Sequence, residues 1–192
     1  MIKKLSCRLQ HCKAVATSIN NASPRQLQQL KAQLAEEMGR PVGLHTMGIP
    51  AAISTLGVIV SFAIPQLWLG FSILGQPAEH VFVWVILIAL LFAGLNGVTM
   101  FMIGKGSISA VRLHLTLALI SLILTAAYLL AALSGSSSPG VSLTAALVSI
   151  VMLLLSGSCI LSTVFYKMLL FTLHNRAWRK LIRQTRDAHM PH

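Results

Sequence analysis

Three groupings in this 192-residue chain hold residue types that bind metals or move protons. Cys7, His11 and Cys12 lie together near the start, and His189 and His192 lie near the end. All are soft donors, but their spacing matches no zinc pattern, and Cys12 also belongs to an apolar stripe, so no metal is expected. Glu79 and His80 are the second grouping, a carboxylate next to an imidazole in a short connection, which reads as an ordinary polar turn. The third lies within apolar sequence. It comprises Asn96 with Thr99, His114 near Arg112, and Ser156, Ser158, Cys159, Ser162 and Thr163 around Gly157. Ser158 with Ser162, and Cys159 with Thr163, are one helical turn apart and share faces.

Hydrolysis would require a nucleophile with a base, a pair of acids or a metal cluster. The four acids, Glu36, Glu37, Glu79 and Asp187, all lie outside the apolar runs. Gly104, Lys105 and Gly106 lack the spacing of a phosphate-binding loop. The expectation is a protein with no catalytic set and no cofactor. Asn96, Thr99, Ser158, Ser162 and Thr163 are then expected to make intramembrane contacts, because hydroxyl and amide groups in apolar helices bond across to neighbours. Gly57 with Ser61, Ala93 with Gly97, and Ala145 with Ser149 are small pairs that let helices approach.

The elements that must position these residues follow from composition. The chain is 55% hydrophobic and 10% charged, where a soluble domain carries roughly a quarter charged residues. Its mean hydropathy is +0.77. Four apolar runs, at about 48–69, 81–103, 110–133 and 141–166, are each long enough to cross a bilayer. Pro50 should start the first and Pro65 should kink it. The fold class is therefore an all-α integral membrane protein with four transmembrane helices. An amphipathic helical region occupies 1–45, the bundle 46–170, and a basic amphipathic tail 171–192.

The net charge of +11 comes from residues that flank these runs, so nucleic acid is not an expected partner. All fifteen lysines and arginines fall on one side of the four-span topology, and the connections "GQPAEH" and "SGSSSPG" hold none. This places both termini in the cytoplasm, with a bacterial inner membrane as the expected setting. Trp68, Trp84 and Tyr128 fall at the outer ends of their spans, and Tyr166 and Trp178 near the inner face. The basic first residues have no apolar run behind them and do not read as a secretory signal.

Three cytoplasmic segments have helical periodicity. Ile2, Leu5, Leu9, Cys12, Ala16 and Ile19 form one arc. In the tail, Phe171, His174, Trp178, Leu181 and Ile182 oppose Arg176, Arg179, Lys180, Arg183 and Arg186. A helix of that kind rests on anionic headgroups through its basic residues and Trp178. The middle segment has marked ends: Ser23 as cap, Pro24 in the first turn, Gln26 as capping-box partner, and Gly39 and Pro41 to close. Its stripe of Leu27, Leu30, Leu34 and Met38 has no electrostatic pull toward lipid, since Arg25 and Lys31 are balanced by Glu36 and Glu37. The stripe should meet protein: another protein first, otherwise its own bundle or a second copy.

These features point to a non-enzymatic subunit or assembly factor of a larger membrane complex of the secretion, conjugation or envelope type. It would dock through Leu27, Leu30, Leu34 and Met38, with anionic lipids and other membrane subunits as partners. The alternatives are a small homo-oligomeric transporter or lipid-handling protein, and a membrane immunity or exclusion protein.

Overall fold

The computed structural model describes residues 2–39, 48–74, 78–135 and 140–189. These residues form eight helices and no strand: α1 (Ile2–Asn21), α2 (Pro24–Met38), α3 (Ile49–Ala63), α4 (Gln66–Leu74), α5 (Ala78–Gly104), α6 (Ile108–Leu133), α7 (Leu143–Leu161) and α8 (Thr163–His189). Four stretches are long and apolar enough to cross a membrane: α3 with α4, α5, α6 and α7.

Local chemistry sets the helix ends. The Ser23 hydroxyl accepts from the Gln26 amide, and the Gln26 side chain accepts from the Ser23 amide at 2.9 Å, completing a capping box. Gly39 ends α2 with φ at +66°, a conformation that favours glycine. Arg40 and Pro41 lie outside the described residues. Pro50 falls in the first turn of α3, where its missing N–H costs nothing. Pro65 separates α3 from α4, and helix resumes at Gln66 and continues to Leu74. The "GFSIL" segment is therefore helical.

The fourth run differs from its expected bounds. α7 ends at Leu161, and Ser162 is extended, with φ −65° and ψ 153°. The Ser162 hydroxyl accepts from the Phe165 amide at 3.0 Å, so this residue caps α8. Residues 163–166 therefore belong to the tail helix. The 19 residues of α7 span about 28 Å, enough for a hydrocarbon core without them.

Within the bundle α3 packs against α5, α6 and α7, with its largest interface on α7. A Cβ at Gly57 would lie 2.6 Å from the Met152 carbonyl oxygen, so the two backbones touch there. The Phe62 and Phe92 rings stack at 3.6 Å between centroids and join α3 to α5. At the far end Trp68 packs on Tyr128, whose hydroxyl donates to the Gly140 carbonyl and accepts from the Ser142 amide, both at 3.0 Å.

The opposite end is covered by a layer of three helices. α1 and α2 form a hairpin, and α8 lies between them across the end of the bundle. Arg8 meets Tyr166 and Asn20 meets Arg176, so α1 runs parallel to α8. Lys31 meets Trp178 and Glu37 meets Tyr166, so α2 runs antiparallel to it. The α5–α6 turn seats on α8 through Gly106, which has φ at +81° and leaves its missing Cβ only 3.1 Å from the Thr172 carbonyl oxygen.

This layer corrects the expected role of the α2 stripe. Leu27 and Leu34 are buried, with Leu30 and Met38 packed alongside, in one core with Cys12, Ile19, Leu169, Leu170, Leu173 and Ala177. The stripe is covered by the chain's own α8, because α8 carries a second apolar face that the tail's basic pattern conceals. That face cannot receive another protein while α8 occupies it.

Candidate functional site

Two polar arrangements stand out: a buried seam inside the bundle and a cationic surface on the end layer. The seam begins with Pro65. A proline has no N–H to offer the carbonyl four residues earlier, which is that of Ser61. That carbonyl instead accepts from Thr125 at 3.2 Å and from Ser149 at 3.1 Å, tying α3 to α6 and α7. Thr125 and Ser149 hydroxyls are 2.8 Å apart, and Ser121 reaches the Val58 carbonyl at 3.3 Å. One to two turns along, the Ser54 hydroxyl lies 2.9 Å from His114 Nε2 and 3.0 Å from the Ser156 hydroxyl. Ser54, Ser61, Ser121 and Ser149 are fully buried.

A serine against an imidazole is the start of a nucleophile–base pair, which in hydrolases is completed by a group that orients the ring. His114 Nδ1 has no partner among the described residues, and the described acids lie on α2, α8 and the far end of α5. Sealed from solvent and without an orienting acid, the contact holds α3, α6 and α7 together. Hydrogen bonds of this kind in apolar surroundings are worth about 0.6 kcal/mol each on average.

The expected intramembrane contacts divide. Asn96 and Thr99 are buried, but each donates within α5, to the Phe92 carbonyl at 3.0 Å and the Leu95 carbonyl at 2.7 Å. Asn96 Oδ1 and Thr55 Oγ1 have no partner among the described residues. Ser158 is exposed on the bundle exterior and bonds to its own helix at Leu155. Ser162 is a helix cap and Thr163 is exposed. The stripe of α7 that faces its neighbours is Ser149 and Ser156, with Gly57 and Ser61 opposite.

On the end layer, Lys105, Arg176, Arg179, Lys180 and Arg183 line a cleft of about 410 Å³ with Ile19 and Asn20. Lys180 donates to the Ile19 carbonyl at 2.8 Å and the Asn20 carbonyl at 2.6 Å. It thus neutralises the negative end of α1. Arg176 donates to Asn20 Oδ1 at 2.9 Å and the Gly106 carbonyl at 3.1 Å. Lys180 thus ties α8 to α1 and Arg176 ties the layer to the α5–α6 turn, whereas Arg179, Arg183 and Arg186 are exposed. Trp178 and Ile182 are half exposed, and the Lys31 ammonium lies 5.8 Å from the Trp178 ring centre.

A second cluster joins all three helices of the layer. The Arg8 guanidinium stands 4.9 Å above the Tyr166 ring, the Tyr166 hydroxyl donates to Glu37 at 2.6 Å, and His11 Nε2 lies 3.2 Å from the other Glu37 oxygen. Burial and the bond to the Glu37 carboxylate hold the Tyr166 hydroxyl well above the usual phenol range. Burial, aided by Glu37, pushes the Cys12 thiol up to about 11. Cys7 is exposed. Among the described residues no three His, Cys, Asp or Glu side chains meet, and His192 lies outside them.

A prediction follows for thiol chemistry. Because the thiolate is the reactive form, maleimide should label Cys7 in the folded protein and spare Cys12 until the pH nears 11. The raised value also means that Cys12 stabilises the fold below its ordinary range near 9.0 and loses that contribution as pH climbs toward 11. Mass spectrometry of labelled peptides across pH checks this, and rapid labelling of Cys12 at neutral pH would show that the layer is open.

No protein-family model matches this chain, and no curated protein or solved structure matches it either.

Proposed function

We propose that this chain is a multi-pass integral membrane protein, with α1, α2 and α8 on the cytoplasmic face, that works without chemistry of its own as a subunit of a larger membrane assembly. The charge distribution supports the orientation. Every described lysine and arginine lies in the end layer, in the α5–α6 turn or in the first turns of α6, which is the positive-inside pattern. So strict a segregation of charge fits a bacterial inner membrane, with anionic headgroups against the exposed arginines of α8.

The observation that carries the subunit reading is the outward face of α5. This helix is the least enclosed of the four apolar stretches. Val83, Leu87, Leu90, Gly94, Gly97 and Phe101 fall on one side of it, and all are exposed. Nothing lies within 4 Å of a Cβ built at Gly94 or Gly97, so a small-residue notch stands open between Leu90 and Phe101. Elsewhere in the bundle, at Gly57, such a position is filled by a helix. A helix of another subunit is the natural occupant. The α2 stripe plays no part in this reading, since α8 covers it. A transporter role has less support, because α3 fills the bundle and its Ser54 and Ser61 bond to neighbouring helices.

Affinity purification from native membranes in mild detergent, with mass spectrometry, tests the reading. Fixed membrane partners at stoichiometric yield are expected, and Gly94→Leu with Gly97→Leu should release them while the chain stays inserted. Recovery as a lone monomer would overturn it. An immunity or exclusion role would use the same face, and the identity of the captured protein separates the two.

A further inference from the structure

Near the α7–α8 break two cavities lie side by side. The smaller, about 180 Å³, is lined by Lys4, Leu5, Arg8, Leu161 and Thr163. The larger, about 400 Å³, is an almost wholly apolar groove between α6 and α7, lined among others by Leu119, Leu122, Leu153 and Gly157. Leu5 and Leu161 line both, so the cationic cavity lies directly beside the apolar groove.

The cationic cavity is a built feature. Arg8 is held over the Tyr166 ring and donates to the Leu161 carbonyl at 3.4 Å, so its guanidinium is fixed at the helix break. Lys4 is exposed, and neither Lys4 nor Arg8 pairs with a carboxylate among the described residues. Thr163 is exposed at the same place. From Leu161 to Leu153 the groove runs about 12 Å along α7, the length of the upper part of an acyl chain.

The geometry points to a phospholipid site: a lipid with an anionic headgroup, its phosphate held by Lys4 and Arg8 and one acyl chain laid between α6 and α7. This rests on the membrane reading above. The site lies where the apolar bundle meets the end layer, and paired Lys and Arg favour an anionic over a zwitterionic lipid. The apolar groove selects a lipid over a free phosphate. The lipid would bridge α1 to α6 and α7, which share few direct contacts with that helix.

Native mass spectrometry of the full chain in detergent, titrated with phosphatidylglycerol or phosphatidylcholine of the same chains, tests this. One retained phosphatidylglycerol is expected, at about tenfold or more preference. Lys4→Gln with Arg8→Gln should remove the preference. Gly157→Phe should abolish retention of both lipids with the cations intact. Nothing lies within 4 Å of a Cβ at Gly157, so the new side chain starts into open space, and an unchanged melting temperature and elution volume check that the variant is folded. Equal retention of the two lipids, or indifference to both variants, would overturn the proposal. So would displacement by millimolar inorganic phosphate, which would mark a simple anion site. Alkaline carbonate extraction separates the readings: a chain that washes off membranes refutes the membrane reading itself, whereas a chain that stays but shows no lipid preference refutes only this site.

Discussion

Replacing Gly57 with leucine should cost the bundle about 3 kcal/mol or more, the upper range for overpacking together with lost interhelical bonds. A Cβ there would sit 2.6 Å from the Met152 carbonyl oxygen and 3.1 Å from the Ser156 Cβ. The nearer obstacle is backbone, which cannot swing aside as a side chain can. α3 and α7 would have to separate along their largest interface. The contacts from Ser54 to Ser156 and from Ser61 to Ser149 would open with them. Thermal challenge in detergent followed by size-exclusion chromatography measures the loss. Gly157→Leu, on α7 with open space at its Cβ, should behave like the parent. A parent-like melting temperature for Gly57→Leu would mean that the two helices do not touch at this point.

The second large effect is expected from Leu27→Glu combined with Leu34→Glu. Both leucines are essentially inaccessible, at 0% and 2% exposed. Truncating a buried leucine costs about 2–5 kcal/mol, and burying a carboxylate in its place is worse. The expected outcome is local: α1 and α2 leave α8, trypsin cuts after Lys13, Arg25 and Lys31 much faster, and the four apolar helices stay assembled. The isolated protein decides the matter. If the stripe faced a different protein instead, the purified chain would resist trypsin equally with and without the two changes.

Much of the architecture was legible in the residues. Runs of apolar sequence marked the four long stretches, and Ser23, Pro24 and Gln26 marked the start of α2, because caps and spans are local properties. The α7–α8 boundary was hidden because apolar residues resume at Val164 and run to Phe171, broken only by Lys167, so the hydroxyl of Ser162 is what announces a new helix. The mate of the α2 stripe was hidden for a different reason. Periodicity shows that a face is apolar, not what covers it, and α8 presents Leu169, Leu170, Leu173 and Ala177 on one side while Trp178 and Ile182 remain exposed on another.

The polar seam was misplaced for a third reason. Spacing put Ser158 and Ser162 on one face of α7, but a helix apolar all round gives no sign of which face turns inward. The useful signal was Pro65, which frees the Ser61 carbonyl and so requires donors from neighbouring helices. Arg176 and Lys180 read as surface charges because their acceptors, at Gly106, Ile19 and Asn20, are far away in the chain.

The most direct measurement places a photo-crosslinking residue at Gly97 in one strain and at Leu30 in another, followed by irradiation of native membranes and identification of the adducts. At Gly97 a single foreign membrane protein should be captured. At Leu30 the adduct should fall within the chain, on α8. Capture of a different protein at Leu30, with nothing but lipid at Gly97, would contradict both the internal docking of α2 and the assembly face on α5.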